Sequence, residues 1–457
     1  MIRRIALVCL MLAGVPQGAR ANGRPAGTST ITFRPGHETD IAAGLTFGLV
    51  FSHDGGKTWS WTCEDAVGYG GMYDPHYVYS PSGALFATTF TGLKVERDSC
   101  TYGLVPASPA FVSAATQGPA PDHALYYAAV QPADATHVVD FAIYKSTDDG
   151  LTFPTKSAPT ATVNWWQSIA VAPSNAQRLY LTGYAYVPGT GTGMVKQQLM
   201  FRSDNGGTSW VPLLVTDFVV APNSDIEIVG IASDDPDHVY ARVKLDDNMQ
   251  SDSIYVSVNK GAKWTKIRSK PVAIGAFVVR AALNAGGKHD LILGTQSVGA
   301  EISHDDGASW AALNNAPHMN CLVESSAGEL WACTQNYGTT GVPSDDAGIM
   351  KTTDLATWTK VLKFQELTDA VSCADGSIQQ KTCVANWCAV CSQLGCTPSA
   401  AYACPTNMEA PVTAPAKGGC CDSGSGGAGA LALSLAVGLV LLRPRRRSTG
   451  AGAAPAR

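Results

Sequence analysis

The sequence has few charged residues and no basic region in its body. Charged residues make up 15% of the 457 residues, and the formal net charge is −5 at pH 7. A nucleic-acid-binding surface must neutralise phosphates with clustered lysines and arginines, so this composition excludes nucleic acid as the partner. The sequence also lacks a Cys/His cluster with the ligand spacing of a zinc site. We therefore expect neither a metal nor a cofactor.

Long helical patterns are also absent between residues 28 and 365. The region consists of short β-rich runs separated by turn residues. In one stretch, Ser168–Ala172 leads through a Pro-Ser-Asn turn to Arg178–Leu181, and Leu199–Arg202 follows. The same order of runs recurs along the chain. The sequence therefore predicts an all-β fold built from repeated units.

One motif marks these units, with the pattern Ser-x-Asp/Asn-x-Gly-x-x-Trp/Phe. The clear copies are Ser52–Trp59, Ser146–Phe153, Ser203–Trp210, Ser257–Trp264 and Ser303–Trp310. Two degenerate copies, Glu96–Tyr102 and Thr352–Trp358, fill the gaps. The spacing of about 50 residues is typical of a four-stranded propeller blade. We predict a seven-bladed β-propeller of four-stranded antiparallel blades, since a closed ring leaves only short protected sheet edges; an open solenoid is the alternative.

The chemistry of the motif favours a hairpin turn. An Asp or Asn side chain bonds neighbouring backbone amides, and Gly adopts the positive φ that the turn requires. The residues predicted to have this structural role are Asp54, Asp148, Asn205, Asn259 and Asp305.

The motif resembles the Asp-box, or BNR, repeat of sialidase-like propellers, and the repeat length is similar to that of WD40/YVTN-type propellers. The resemblance covers residues 28–365. It implies that the boxes lie on the face opposite the ligand site, so that their aspartates are not catalytic.

The N-terminus is typical of a secretory signal peptide, which we assign to residues 1–21. Arg3 and Arg4 precede the apolar run Ile5–Val15, and Ala19-Arg20-Ala21 has the small-x-small pattern that signal peptidase cleaves. A buried N-terminal helix is the alternative. We expect an exported protein.

The C-terminus has the order of a membrane anchor. A Pro/Gly/Ser linker at residues 410–425 precedes an uncharged segment at 426–442 and an Arg-rich tail at 443–457. The segment is at the short end of a spanning helix, and the arginines would keep the tail in the cytoplasm. With Cys420 and Cys421, this order resembles the myxobacterial sorting tag MYXO-CTERM, which implies cleavage near these cysteines by a sortase-like protease and display on the cell surface. A retained transmembrane anchor is the alternative.

Thirteen cysteines in an exported chain favour disulfides. We predict a disulfide-stapled module at residues 373–404, with redox chemistry at Cys388-x-x-Cys391 as the alternative. The module's cysteines are Cys373, Cys383, Cys388, Cys391, Cys396 and Cys404. In the body, Cys321 and Cys333 fall on consecutive strands and are predicted to pair, and Cys63 with Cys100 is a further candidate pair.

Ligand-binding residues are expected where innermost strands begin, on the face opposite the boxes. Loops there usually carry function, and converging aromatic and polar groups suit a carbohydrate or peptide. Aligning the strands by their following turns predicts these positions: Tyr73, Asp74, His76, Trp165, Gln167, Glu227, Phe277, Arg280, His318 and Asn320. Ordinary packing of strand ends is the alternative explanation.

We predict a non-catalytic surface propeller that binds a glycan, peptide or protein. The sialidase resemblance implies three clustered arginines, but the body has few: Arg34, Arg97, Arg178, Arg202, Arg242, Arg268 and Arg280. The alternative is a glycoside hydrolase with two carboxylates across a cleft, for which Asp74 and Glu227 are candidates by position. Release of sugar from a polysaccharide would separate the two hypotheses.

Overall fold

The computed structural model confirms the predicted seven-bladed propeller. It describes residues 25–404 except 72, 134–137, 190–192, 246–250, 340 and 403. Seven antiparallel sheets follow one another along the chain, and each has four strands in sequential order. The first sheet has a fifth strand, which comes from the C-terminal end of the described chain.

The first four blades contain strands β1 to β16. Blade 1 consists of β1 (Thr28–Phe33), β2 (Ile41–Leu45), β3 (Gly48–Ser52) and β4 (Ser60–Thr62). Blade 2 consists of β5 (Tyr77–Tyr79), β6 (Leu85–Thr89), β7 (Gly92–Glu96) and β8 (Gly103–Leu104). Blade 3 consists of β9 (Val112–Gln117), β10 (Leu125–Ala129), β11 (Ile143–Ser146) and β12 (Thr155–Ser157). Blade 4 consists of β13 (Trp165–Ala172), β14 (Asn175–Pro188), β15 (Met194–Ser203) and β16 (Val211–Pro212).

The remaining blades contain strands β17 to β28. Blade 5 consists of β17 (Asp225–Ile231), β18 (Val239–Lys244), β19 (Asp252–Ser257) and β20 (Thr265–Lys270). Blade 6 consists of β21 (Ile274–Leu283), β22 (His289–Thr295), β23 (Ala300–Ser303) and β24 (Ala311–Leu313). Blade 7 consists of β25 (Cys321–Glu324), β26 (Leu330–Cys333), β27 (Ile349–Thr352) and β28 (Thr359–Leu362). A helix α1 (Glu64–Val67) follows blade 1.

The ring closes because the first strands of consecutive blades pack side by side and β25 contacts β1. Between neighbouring blades lie apolar clusters; one joins Ala128, Trp166 and Leu181 of blades 3 and 4. Burial of such side chains contributes about 1.5–3 kcal/mol each. Each blade therefore depends on its neighbours for a core.

The motif turns connect the third and fourth strands of all seven blades, as their positions between strands show. In blade 1, the Ser52 hydroxyl accepts a hydrogen bond from the Gly56 amide at 2.8 Å. Asp54 accepts bonds from the amides of Lys57 and Thr58, each at 2.9 Å, and the Trp59 indole donates to the Gly56 carbonyl at 3.1 Å. The Asp54 carboxylate thus stabilises its own turn through hydrogen bonds to backbone amides. The equivalent Asp148, Asn205, Asn259 and Asp305 make the same kind of bonds.

The C-terminal segment clasps the outside of blade 1. After a 3₁₀ turn (Phe364–Glu366), β29 (Asp369–Ala370) pairs in parallel with β4. A π-helical turn (Gln379–Val384) and helix α2 (Ala385–Leu394) follow. The fully buried Trp387 packs on Trp61, with ring centroids 5.1 Å apart. We call residues 363–404 the clasp. It joins the last blade to the first from outside the ring.

Five disulfides are present in the described chain, and they correct the predicted pairing. Cys63 bonds Cys383 and Cys100 bonds Cys373, so the predicted Cys63–Cys100 pair is wrong. The two cysteines lie on different blades, and the folded clasp brings a nearer partner to each. Cys321 bonds Cys333 across β25 and β26, the pairing that the sequence suggested. The clasp's internal disulfides are Cys388–Cys404 and Cys391–Cys396.

The disulfides indicate an exported protein, because such bonds persist in oxidising compartments. The predicted segments at 1–21, 410–425, 426–442 and 443–457, including Cys420 and Cys421, lie outside the described residues. Among the helices of the described residues, none combines the length and the apolar composition of a membrane-spanning helix.

A buried carboxyl in the degenerate turn of blade 2 predicts a pH-dependent stability. Burial raises the pKa of Glu96 to about 7, against the opposing effect of the Ser99 amide. Between its ordinary value and pH 7, the folded state holds more protons than the unfolded state, so stability falls as pH rises. We expect Glu96→Gln to raise the free energy of unfolding at pH 8 by up to about 3 kcal/mol, with no gain at pH 4.5.

Thermal unfolding at both pH values measures this difference. Glu366→Gln, at an exposed position, is the matched control and should leave the pH dependence unchanged. An equal gain from Glu96→Gln at both pH values would show that Glu96 is not the titrating group.

Candidate functional site

The candidate site is on the face opposite the motif turns, which we call the channel face. It carries the turns between second and third strands and the connections between blades. Since adjacent strands are antiparallel, each innermost strand begins at this face.

A charged cluster lines the central channel near this face. Glu227 of β17 accepts hydrogen bonds from the Arg242 guanidinium at 2.6 Å and the Lys244 ammonium at 2.5 Å. Burial acts to raise the pKa of Glu227, but the two cations outweigh it and lower the pKa to about 2. Glu227 is therefore an ionised carboxylate throughout the neutral range and does not donate a proton there.

His76 faces the same cluster from blade 2. Its side chain is exposed to solvent and lies near other protein groups. This surrounding protein lowers the pKa of His76, the Glu227 carboxylate acts to raise it, and Lys244 acts to lower it. Charged groups of blade 5 thus act on the pKa of His76 in blade 2.

A second polar cluster lies between blades 4 and 5. The Gln167 amide donates to Asp225 at 2.6 Å, and Lys196 of β15 forms an ion pair with the same carboxylate. The Lys196 ammonium also lies 4.2 Å from the centre of the Tyr184 ring. The negative charge of Asp225 is thus paired with the positive charge of Lys196.

Four aromatic rings from three blades meet beside these polar clusters. Phe90, in the β6–β7 turn, lies 4.5 Å from Tyr73 and 6.0 Å from both Phe111 and Trp165, measured between ring centroids. The Tyr73 hydroxyl shares a 2.6 Å hydrogen bond with Thr88. We call these four residues the aromatic platform. It reaches solvent mainly through Phe90.

The predicted residues of blade 7 lie close to this face but in a separate group. The His318 imidazole is 3.0 Å from the Asp345 carboxylate. The backbone amide of Asn320 donates a hydrogen bond to the Cys333 carbonyl. Asp345 also accepts a hydrogen bond of 2.9 Å from the backbone amide of Gln335. These contacts order the start of β25.

The two predicted residues of blade 6 are misplaced. Phe277 is buried against Tyr240, 5.5 Å away between ring centroids, in the core between blades 5 and 6. Arg280 pairs with Glu324 at 2.8 Å and donates to the Gly328 carbonyl, near the motif face. Phe277 and Arg280 lie three and six residues after the start of the ten-residue strand β21, so neither lies at its channel-face end.

Sequence reasoning also missed several residues of the site. Phe90, Asp225 and Lys196 lie in a turn or at strand ends outside the aligned positions. The sequence did offer one indication of Phe90. A large aromatic residue in the short turn Thr89-Phe90-Thr91-Gly92 usually packs against another part of the protein or binds a ligand. Arg242 and Lys244 lie on second strands, which the alignment did not consider.

The fold and site define a disulfide-bonded propeller with a mixed aromatic and polar channel face. No group of metal-ligating side chains suited to an ion occurs in the described ranges. No protein-family model matches the chain. The oligoxyloglucan-reducing end-specific xyloglucanase of Emericella nidulans is 25% identical over 158 residues, which cover 31% of this chain and 19% of that protein.

Solved structures with a similar fold include propellers of family GH74. An ancestral GH74 enzyme is 15% identical with a TM-score of 0.47, covering 68% of this chain and 44% of the other. The GH74 xyloglucanase of Xanthomonas campestris is 16% identical with a TM-score of 0.38, covering 76% and 59%. Ycf48 bound to a D1 peptide is 13% identical with a TM-score of 0.41, covering 67% and 90%. The chain thus spans less than two thirds of these two GH74 proteins.

Proposed function

We propose that this chain is an exported glycoside hydrolase of the propeller type, acting on xyloglucan or a related neutral polysaccharide. The observation that carries this proposal is the 158-residue similarity to a xyloglucanase, which favours a hydrolase over a protein that only binds its ligand. The paired charges of the channel face suit an uncharged substrate. We further propose that processing at Cys420 or Cys421 attaches the protein to the cell surface and removes the segment at 426–442; retention of that segment as a transmembrane anchor is the alternative.

Hydrolysis of a glycosidic bond needs one carboxylic acid to protonate the leaving oxygen and one carboxylate to activate water or attack the sugar. In our proposal Asp74 protonates the leaving oxygen, because it is partly exposed at the channel face, two residues from His76. Glu227 is ionised and faces His76. In our proposal the Glu227 carboxylate accepts a proton from the attacking water, whose oxygen bonds to the sugar as the glycosidic bond breaks, and its charge stabilises the positively charged transition state.

The second candidate function is glycan binding without hydrolysis. The ion pairs of Glu227 with Arg242 and Lys244 favour it, because they restrain a carboxylate that a hydrolase would use. A channel face that only holds a glycan needs no proton donor.

Incubation of the purified chain with xyloglucan, followed by measurement of new reducing ends, tests the proposal. We expect release by the wild type and an approximately hundredfold lower kcat for Asp74→Asn, the scale of a lost general acid. Asp375→Asn, at an exposed position of the clasp, is the control and should retain activity. Retention of xyloglucan without any release would instead establish the binding function.

A further inference from the structure

The aromatic platform is partly exposed at the channel face. Phe90 is 36% exposed, and Tyr73 and Trp165 are partly exposed. Its members come from blades 2, 3 and 4, so its shape depends on how the blades pack. Such a mixture of exposed ring area and nearby polar groups is typical of ligand sites.

A long hairpin borders the platform. Strands β14 and β15 have 14 and 10 residues and extend beyond their counterparts in the other blades. At the base of this extension, Trp165 pairs with Tyr184 in the sheet register, and Asn164 accepts the Tyr186 amide at 2.6 Å. The partly exposed Tyr186 lies 5.6 Å from Tyr184 between ring centroids. The hairpin therefore forms one wall beside the platform.

The charges around the platform are paired within the protein. Asp225 pairs with Lys196, and Glu227 pairs with Arg242 and Lys244. A charged polymer would have to compete with these pairs. A neutral polymer finds hydrogen-bonding groups, such as the Gln167 amide, beside aromatic rings that present flat apolar faces.

We propose that the platform is a sugar-binding subsite, with a pyranose ring of a neutral polysaccharide stacked on Phe90, flanked by the Trp165 ring at 52° to the Phe90 plane, and its hydroxyls directed to Gln167. This inference deepens the proposed function and rests on it, since it names the part of the channel face that holds the chain being cleaved. The C–H face of the sugar packs on the rings, and the hairpin wall sets the direction of the polymer.

Binding of xyloglucan to the purified full chain, measured by affinity electrophoresis and calorimetry, tests the subsite. We expect Phe90→Ala to weaken binding by about tenfold, as loss of a well-packed aromatic contact costs roughly 1–1.5 kcal/mol. Phe90→Trp should retain wild-type affinity. Val258→Ala removes a side chain that is 66% exposed in a motif turn on the other face, and it should bind as the wild type does.

The possible results distinguish a failure of the proposed sugar subsite from a failure of the proposed hydrolase function. Wild-type hydrolysis of xyloglucan together with unchanged binding and KM for Phe90→Ala would overturn the subsite and leave the hydrolase. Equal weakening by Phe90→Ala and Val258→Ala would also overturn it, because the effect would not be local. Tighter binding of polygalacturonate than of xyloglucan would overturn the neutral ligand, and failure of the wild type to bind or cleave any polysaccharide would overturn both proposals.

Discussion

Replacement of Cys63, Cys383, Cys100 and Cys373 by alanine is expected to lower the free energy of unfolding by about 9 kcal/mol. These bonds join residues 320 and 273 positions apart. In the chain-entropy description, the longer the loop that a disulfide closes, the more it restricts the unfolded chain. The first bond to form closes nearly the whole propeller, and the second closes the smaller loop that remains.

A graded series of variants makes this prediction specific. Removal of Cys63–Cys383 alone should cost about 4 kcal/mol, because Cys100–Cys373 still tethers the clasp. Removal of Cys321–Cys333, whose cysteines are 12 positions apart, is the control and should cost about 3 kcal/mol. The guanidinium midpoint of each variant measures the series. If loss of both clasp bonds costs no more than the control, the clasp does not hold the ring closed.

Trp387→Ala is expected to cost about 3–5 kcal/mol of folding stability. The Trp387 side chain is fully buried in the cluster that joins the clasp to blades 1 and 7, and its indole donates to the Thr368 carbonyl at 3.2 Å. Truncation leaves a cavity against Trp61 and removes one of the two hydrogen bonds that the Thr368 carbonyl accepts. Because this contact lies where the two ends of the ring meet, its loss should loosen the closure.

The measurement is the shift of the thermal midpoint, with Trp358→Ala as the matched control. Trp358 is only partly buried, in the degenerate turn of blade 7, so its truncation should cost less. Equal shifts for the two variants would contradict a special role for Trp387. Loss of Trp387 should also increase the rate at which Cys63–Cys383 is reduced, since both lie in the same buried cluster.

The number of blades was predictable because the motif turn is a local structure. Within five residues, the Ser52 hydroxyl donates a hydrogen bond to Asp54 and accepts one from the Gly56 amide. The turn therefore forms from its own sequence and recurs wherever that sequence recurs. The degenerate copies at Glu96 and Thr352 were recognisable only through their spacing. Tyr73, His76, Trp165 and Glu227 lie close to the starts of β5, β13 and β17, and their role in ligand binding stays a prediction. Phe277 is buried between blades, and Arg280 lies towards the other end of β21.

Contacts between distant parts of the chain were decided only by the folded ring. The sequence by itself determined an all-β chain of seven like units, since hydrogen bonds within each turn and alternation along each strand are local properties. It did not determine that Cys63 meets Cys383 or that Phe90 meets Trp165. Those pairings join different blades or the two ends of the ring, and they depend on how each sheet twists and packs against the next.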